Sequence, residues 1–68
     1  MTEQKDLLQR ALNIYTERSM YYLEKAKHST GAYQDRFVVF SSAYTSAAAI
    51  LRAALTGDEE TLREYEGA

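Results

Sequence analysis

The chain has 68 residues, 46% of them hydrophobic, and a formal net charge of −2 from eight basic and ten acidic residues. That length makes one domain, and the charge offers no bulk attraction to nucleic acid or anionic lipid. The chain has no Cys, which excludes disulfides and thiolate metal sites and fits a reducing, cytoplasmic setting.

A first helix is predicted from about residue 3 to residue 28. Thr2 is a candidate N-cap, and Glu3 and Asp6 suit the positive end of the helix dipole. The polar start leads into an amphipathic segment and is not expected to be a secretory signal. Leu8, Leu12, Tyr15, Ser19, Tyr22 and Ala26 repeat at intervals of four and three, the seam pattern of helix-on-helix packing. Leu7, Ile14 and Tyr21 form a second, weaker stripe, interrupted by Arg18 and Lys25. Lys25, Lys27 and His28 sit at the negative C-terminal end, where cations belong.

Ser29, Thr30 and Gly31 break the pattern. Gly31 is free to adopt a left-handed backbone as a helix C-cap, and Ser29 or Thr30 is suited to cap the next helix. A connection this short makes the two helices antiparallel.

The second helix is predicted over about residues 32–56. It contains the one stretch unlike the rest of the chain: fifteen residues from Phe37 to Leu51 without a charge. Tyr33, Phe37, Phe40, Tyr44, Ala47, Ala48, Leu51 and Leu55 share one side of a helical wheel, opposed to the alternation of a strand. Val39, Ala43, Ser46, Ile50, Ala53 and Ala54 fall on a neighbouring arc, and their small size invites close approach of another helix. Only Gln34, Ser41, Thr45, Arg52 and Thr56 read as a water-facing strip. A helix apolar most of the way round is a buried helix. The uncharged run is too short to span a bilayer and carries four Ser or Thr residues, so no membrane span is expected.

Gly57 ends the second helix. Asp58 is a strong N-cap for a third, over about residues 58–65, with Glu59 and Glu60 in its first turn and Leu62 and Tyr65 as its anchors. The fold class is all-α: a long antiparallel two-helix hairpin plus a short C-terminal helix. A core this small is marginal alone, and with no disulfide or thiolate metal the remaining way to enlarge it is association. The expected assembly is a homodimeric four-helix-type bundle, joined through Val39, Ala43, Ser46, Ile50, Ala53 and Ala54.

No catalytic, cofactor or metal site is expected. His28 stands alone beside Glu24, with no second pair at bundle-metal spacing. Ser41, Ser42, Thr45 and Ser46 have no base within reach, because the hairpin places His28 near Ala32. The six tyrosines read mainly as packing, with Tyr21 and Tyr65 off the main seams as the candidates for a partner surface. Lys25, Lys27 and Arg36 gather near the connection and are the residues of an alternative reading, a small nucleic-acid-binding regulator; Glu24 and Asp35 among them weigh against it. The leading expectation is a non-enzymatic protein–protein interaction module that self-associates and takes a further protein partner. Accessory and regulatory proteins of phages and mobile elements often have this size and plainness, an association of kind rather than of residues.

Overall fold

The computed structural model describes the backbone of residues 2–67 and the side chains of residues 3–67; the capping role expected of the Thr2 side chain lies outside them. Three helices follow in order: α1 (Thr2–Lys27), α2 (Gly31–Thr56) and α3 (Glu59–Gly67). α1 packs along α2, α3 packs on α2 alone, and α1 and α3 do not touch. The helix boundaries lie within two residues of those read from the sequence.

The connection between α1 and α2 differs from expectation in one respect. Gly31 does adopt a left-handed backbone, with φ 64°, but it opens α2 rather than capping α1. The end of α1 is closed by tightened backbone bonds, His28 N–H to the Lys25 carbonyl at 3.2 Å and Ser29 N–H to Ala26 at 3.3 Å. Side chains add to them: the Ser29 hydroxyl donates to the Lys25 carbonyl at 2.7 Å, and the Gln34 amide reaches back to the Ala26 carbonyl at 3.0 Å. Polar groups thus satisfy carbonyls that the helix end leaves unpaired. Thr30 occupies the N-cap position of α2 without a side-chain capping bond.

At the other end the expected devices are present. Gly57 is left-handed, at φ 73° and ψ 27°, and its N–H returns to the Ala53 carbonyl. The Asp58 N–H shares that carbonyl at 2.8 Å. Asp58 then caps α3: one carboxylate oxygen accepts the Thr61 N–H at 3.1 Å and the other accepts the Thr61 hydroxyl at 2.6 Å. These two bonds, the hydroxyl's first, hold the Asp58 carboxyl below its ordinary pKa.

The seam between α1 and α2 uses the predicted residues of α1 except Leu8, which is exposed. Leu12 and Ala26 are buried, and Tyr15, Ser19 and Tyr22 are half-buried. On α2, Ala48 is buried and Phe37, Tyr44, Ala47, Leu51 and Leu55 are half-buried, whereas Phe40 is exposed. Tyr33 departs from the expected seam and is 68% exposed, standing level with Lys27, the last residue of α1, where little of that helix remains to cover it. Ser41 departs in the other direction. Expected in a water-facing strip, it is buried and its hydroxyl donates to the Ser19 carbonyl at 3.0 Å. Its small side chain suits a place where two helix backbones come close, and the hydroxyl is satisfied there by a carbonyl.

The three helices lie side by side in one layer. The extents are 44 × 28 × 10 Å, and 10 Å is the thickness of a single helix. The radius of gyration is 14.0 Å, where a compact chain of this length has about 11 Å. The chain exposes 5457 Å², against roughly 4,300 Å² for a compact monomer of its mass. No large side chain among the described residues is fully buried. A second layer is what this architecture lacks.

α2 is long and apolar enough, by length and composition, to cross a membrane. Its uncharged run extends only about 22 Å at 1.5 Å per residue, short of a hydrocarbon core of about 30 Å.

Candidate interaction surface

Because the two long helices are antiparallel, residues flanking the seam on the same side emerge on the same face of the layer. One face is marked by rings. Tyr22 of α1 stacks on Tyr44 of α2, with centroids 5.7 Å apart and planes 8° apart, and lies 5.3 Å from Phe40 and 6.1 Å from Phe37. Tyr15 extends the cluster to Tyr44 at 6.0 Å, and Tyr21 meets Tyr22 edge-on at 5.2 Å. Offset and edge contacts of this kind are favourable beyond the area they bury.

The other face is marked by hydroxyls and amides. The Thr45 hydroxyl donates to the Ser41 carbonyl at 2.8 Å. Its single proton is thereby used, so in its close contact with Ser19 it accepts the Ser19 hydroxyl proton. With the Ser41 bond, Ser19 is held to α2 through both its carbonyl and its hydroxyl. Further along, an open groove of about 430 Å³ is lined by Gln9, Leu12, Asn13, Thr16, Arg52 and Thr56 among others. Gln9 donates to Asn13 at 3.0 Å, and Thr16 back to the Leu12 carbonyl at 2.8 Å. Met20, Leu23 and Val38 form a smaller exposed apolar group at the loop end.

The ring-bearing face continues outward into exposed apolar residues. On α1 these are Leu7, Ile14 and Tyr21, at spacings of seven that return to the same side of the helix, and they are 60%, 54% and 51% exposed. On α2 the corresponding row is Phe40, Ala43, Ala47, Ile50 and Ala54, spaced by three and four, with Ala47 half-buried and the others exposed. Two helices of 26 residues present a face of roughly 39 by 20 Å, or about 800 Å².

The residues expected to self-associate are divided by the fold. Ala43, Ile50 and Ala54 border the ring-bearing face and are exposed, and Ser46 is half-buried. Val39 is exposed on the far edge of α2, beyond the reach of the short α3. Ala53 is buried within the chain, beside the turn that leads into α3; Ala49, Arg52, Thr56, Asp58 and Thr61 surround a shallow hollow there.

Tyr21 and Tyr65 are not brought together, since α1 and α3 make no contact; Tyr65 stands exposed on α3. Of the three candidate nucleic-acid residues, Lys25 and Arg36 share the loop end of the ring-bearing face and Lys27 departs from them. The Lys25 ammonium lies over the Tyr21 ring, 5.5 Å from its centroid, on the ring-bearing side. Lys27, two residues on, points to the opposite side and pairs loosely with Glu24 at 3.9 Å. Glu24 also accepts from His28 at 3.0 Å, and both are exposed. Arg36 lies on α2, one turn before Phe40. Among the described residues, no three His, Asp or Glu side chains gather where a metal ion could be held.

The ring cluster and its exposed extension were missed as a single face by sequence reading. The signal was present as the weak stripe of Leu7, Ile14 and Tyr21, but its partner row on α2 depends on which side of the seam each helix turns toward the other. Comparison with protein-family models, curated proteins and solved structures finds no match to this chain.

Proposed function

We propose that this chain is a non-enzymatic helical interaction module, cytoplasmic, that works as a homodimer and offers its outer surface to a further protein. The observation that carries the reading is the one-layer architecture. The exposed area exceeds that of a compact monomer by roughly 1,100 Å², and a standard interface covers about 800 Å² per partner. A face of that size with exposed apolar rows, and with Arg18, Lys25 and Arg36 toward one end, is a place for another surface to pack. The apolar character of α2 is read in the same way, as an interface rather than a membrane span, because its partner helix is bonded to it through Ser19, Ser41 and Thr45. Once the faces are paired, the outer edge of α1 and the acidic α3 with Tyr65 remain for a different protein.

Light scattering behind a sizing column tests this. The expected result is a concentration-stable mass near twice 7.7 kDa. Ile14→Asp and Ile50→Asp, on the ring-bearing face, are expected to give monomers, while Met20→Asp on the other face leaves the mass unchanged. A wild-type chain that is helical and monomeric at every concentration overturns the proposal.

A further inference from the structure

We infer that the two copies stack through their ring-bearing faces antiparallel, loops at opposite ends, about a two-fold axis that lies between the faces at the level of Ile14 and Ala47. This rests on the homodimer reading and adds the orientation and register of the pair.

Symmetry along the exposed rows points to those centres. On α1, Leu7 and Tyr21 lie seven residues either side of Ile14, and Glu3 and Lys25 lie eleven either side. An antiparallel two-fold at Ile14 therefore sets Leu7 over the partner's Tyr21 and Glu3 over the partner's Lys25. On α2, Phe40 and Ala54 lie seven residues either side of Ala47. The same operation sets a large ring over a small residue, with Ala47 meeting its own copy at the axis. The two centres were chosen from separate helices, yet the hairpin puts them at one level. Ser19 meets Ser41, and Ala26 meets Gln34. Counting back from those contacts brings Ile14 level with Ala47 to within about one residue, or 1.5 Å.

Charge decides against the other face-to-face arrangement, with both loops at one end. Arg18, Lys25 and Arg36 all lie toward the loop end of the ring-bearing face. Loops together would gather six cations at one end of the interface. Loops apart set Lys25 over the partner's Glu3 and carry Arg36 to the end from which α3 extends, where residues 58–66 hold five acids and one Arg; Arg18, four residues from the axis, falls opposite the partner's Arg10. Like charges brought together disfavour a register, and opposite charges select it.

The chain has no Cys, so a single spin label at Thr30→Cys is unambiguous. Thr30 is exposed and makes no side-chain capping bond, so the label disturbs little. Electron–electron dipolar spectroscopy is expected to read a label separation of roughly 40 Å, a full hairpin length. A separation of roughly 10–20 Å in a chain that light scattering shows to be dimeric overturns the antiparallel arrangement and leaves the homodimer standing. A monomer with no dipolar signal overturns both, as does a chain that dimerises only on lipid vesicles. As an independent readout, Lys25→Glu is expected to weaken dimerisation about tenfold, since each dimer holds two copies of the pair. Glu3→Lys combined with Lys25→Glu is expected to recover most of the loss; no recovery overturns the register.

Discussion

The Ser41 hydroxyl donates to the Ser19 carbonyl across the hairpin at 3.0 Å, and Ser41 is the one buried polar side chain among the described residues. This bond stands where α1 and α2 lie close together, and a larger residue at position 41 would crowd the opposing backbone. Ser41→Ala loses a net hydrogen bond of about 1 kcal/mol, and thermal unfolding followed by circular dichroism is expected to fall by roughly 4–8 °C. Ser41→Leu is expected to cost more, because overpacking adds about 1–3 kcal/mol. If the Leu variant is as stable as wild type, the close approach at Ser41 is mistaken.

Tyr22 is the hub of the ring cluster, in contact with Tyr21, Phe37, Phe40 and Tyr44. Truncation of a fully buried aromatic costs about 3–5 kcal/mol, and half-burial brings the expected cost of Tyr22→Ala to about 2 kcal/mol. Tyr22→Phe keeps the stacking and is expected to be close to neutral. Urea unfolding of the two variants checks this, and equal losses would show that the hydroxyl rather than the ring matters.

Gly57 holds a left-handed backbone, and a Cβ there meets nothing within 4 Å. The cost of Gly57→Ala is therefore conformational alone, about 1–2 kcal/mol. Gly57→Asn is expected to cost less, since Asn visits this region more readily. Denaturant midpoints that rank Ala below Asn below wild type would agree; a neutral Ala variant would not.

The cap of α3 titrates. The Asp58 carboxyl has a lower pKa in the folded chain than its unfolded value, because Thr61 bonds to the charged form. Its contribution is thus fully present above the ordinary carboxylate pKa of about 4, and it is lost as the pH falls through the depressed folded value. Amide hydrogen exchange at Leu62 and Tyr65 is expected to quicken relative to α1 as the solution is acidified through that window. Asp58→Ala is expected to show the faster exchange at neutral pH and no such pH dependence. Equal protection of α3 in wild type and variant would remove the carboxylate from the account.

Much of the candidate face was legible as pieces. The seam residues Leu12, Tyr15, Tyr22, Ala26, Tyr44 and Ala48 follow from spacing alone, because a helix returns to the same side every three or four residues. The outer rows were legible as stripes with no partner assigned. Ser41 was misplaced because hydropathy counts a hydroxyl as water-loving, whereas between close backbones a hydroxyl can be satisfied by a carbonyl.

By itself the sequence determined what is local. Helical periodicity, the two glycines that take positive φ, the Asp58 cap and the short connection specify three helices and their ends, since each depends on residues within a turn or two. The tertiary structure alone decided how the helices share space. Ser19, Ser41 and Thr45 meet on one side of the seam and the rings on the other. α3 lies in the same layer instead of across it, reaching α2 only. Those outcomes depend on pairing between residues more than twenty positions apart, which no local pattern carries. They give the layer two unlike faces, one rich in rings and one rich in hydroxyls and amides, which the separate stripes of the sequence did not assign.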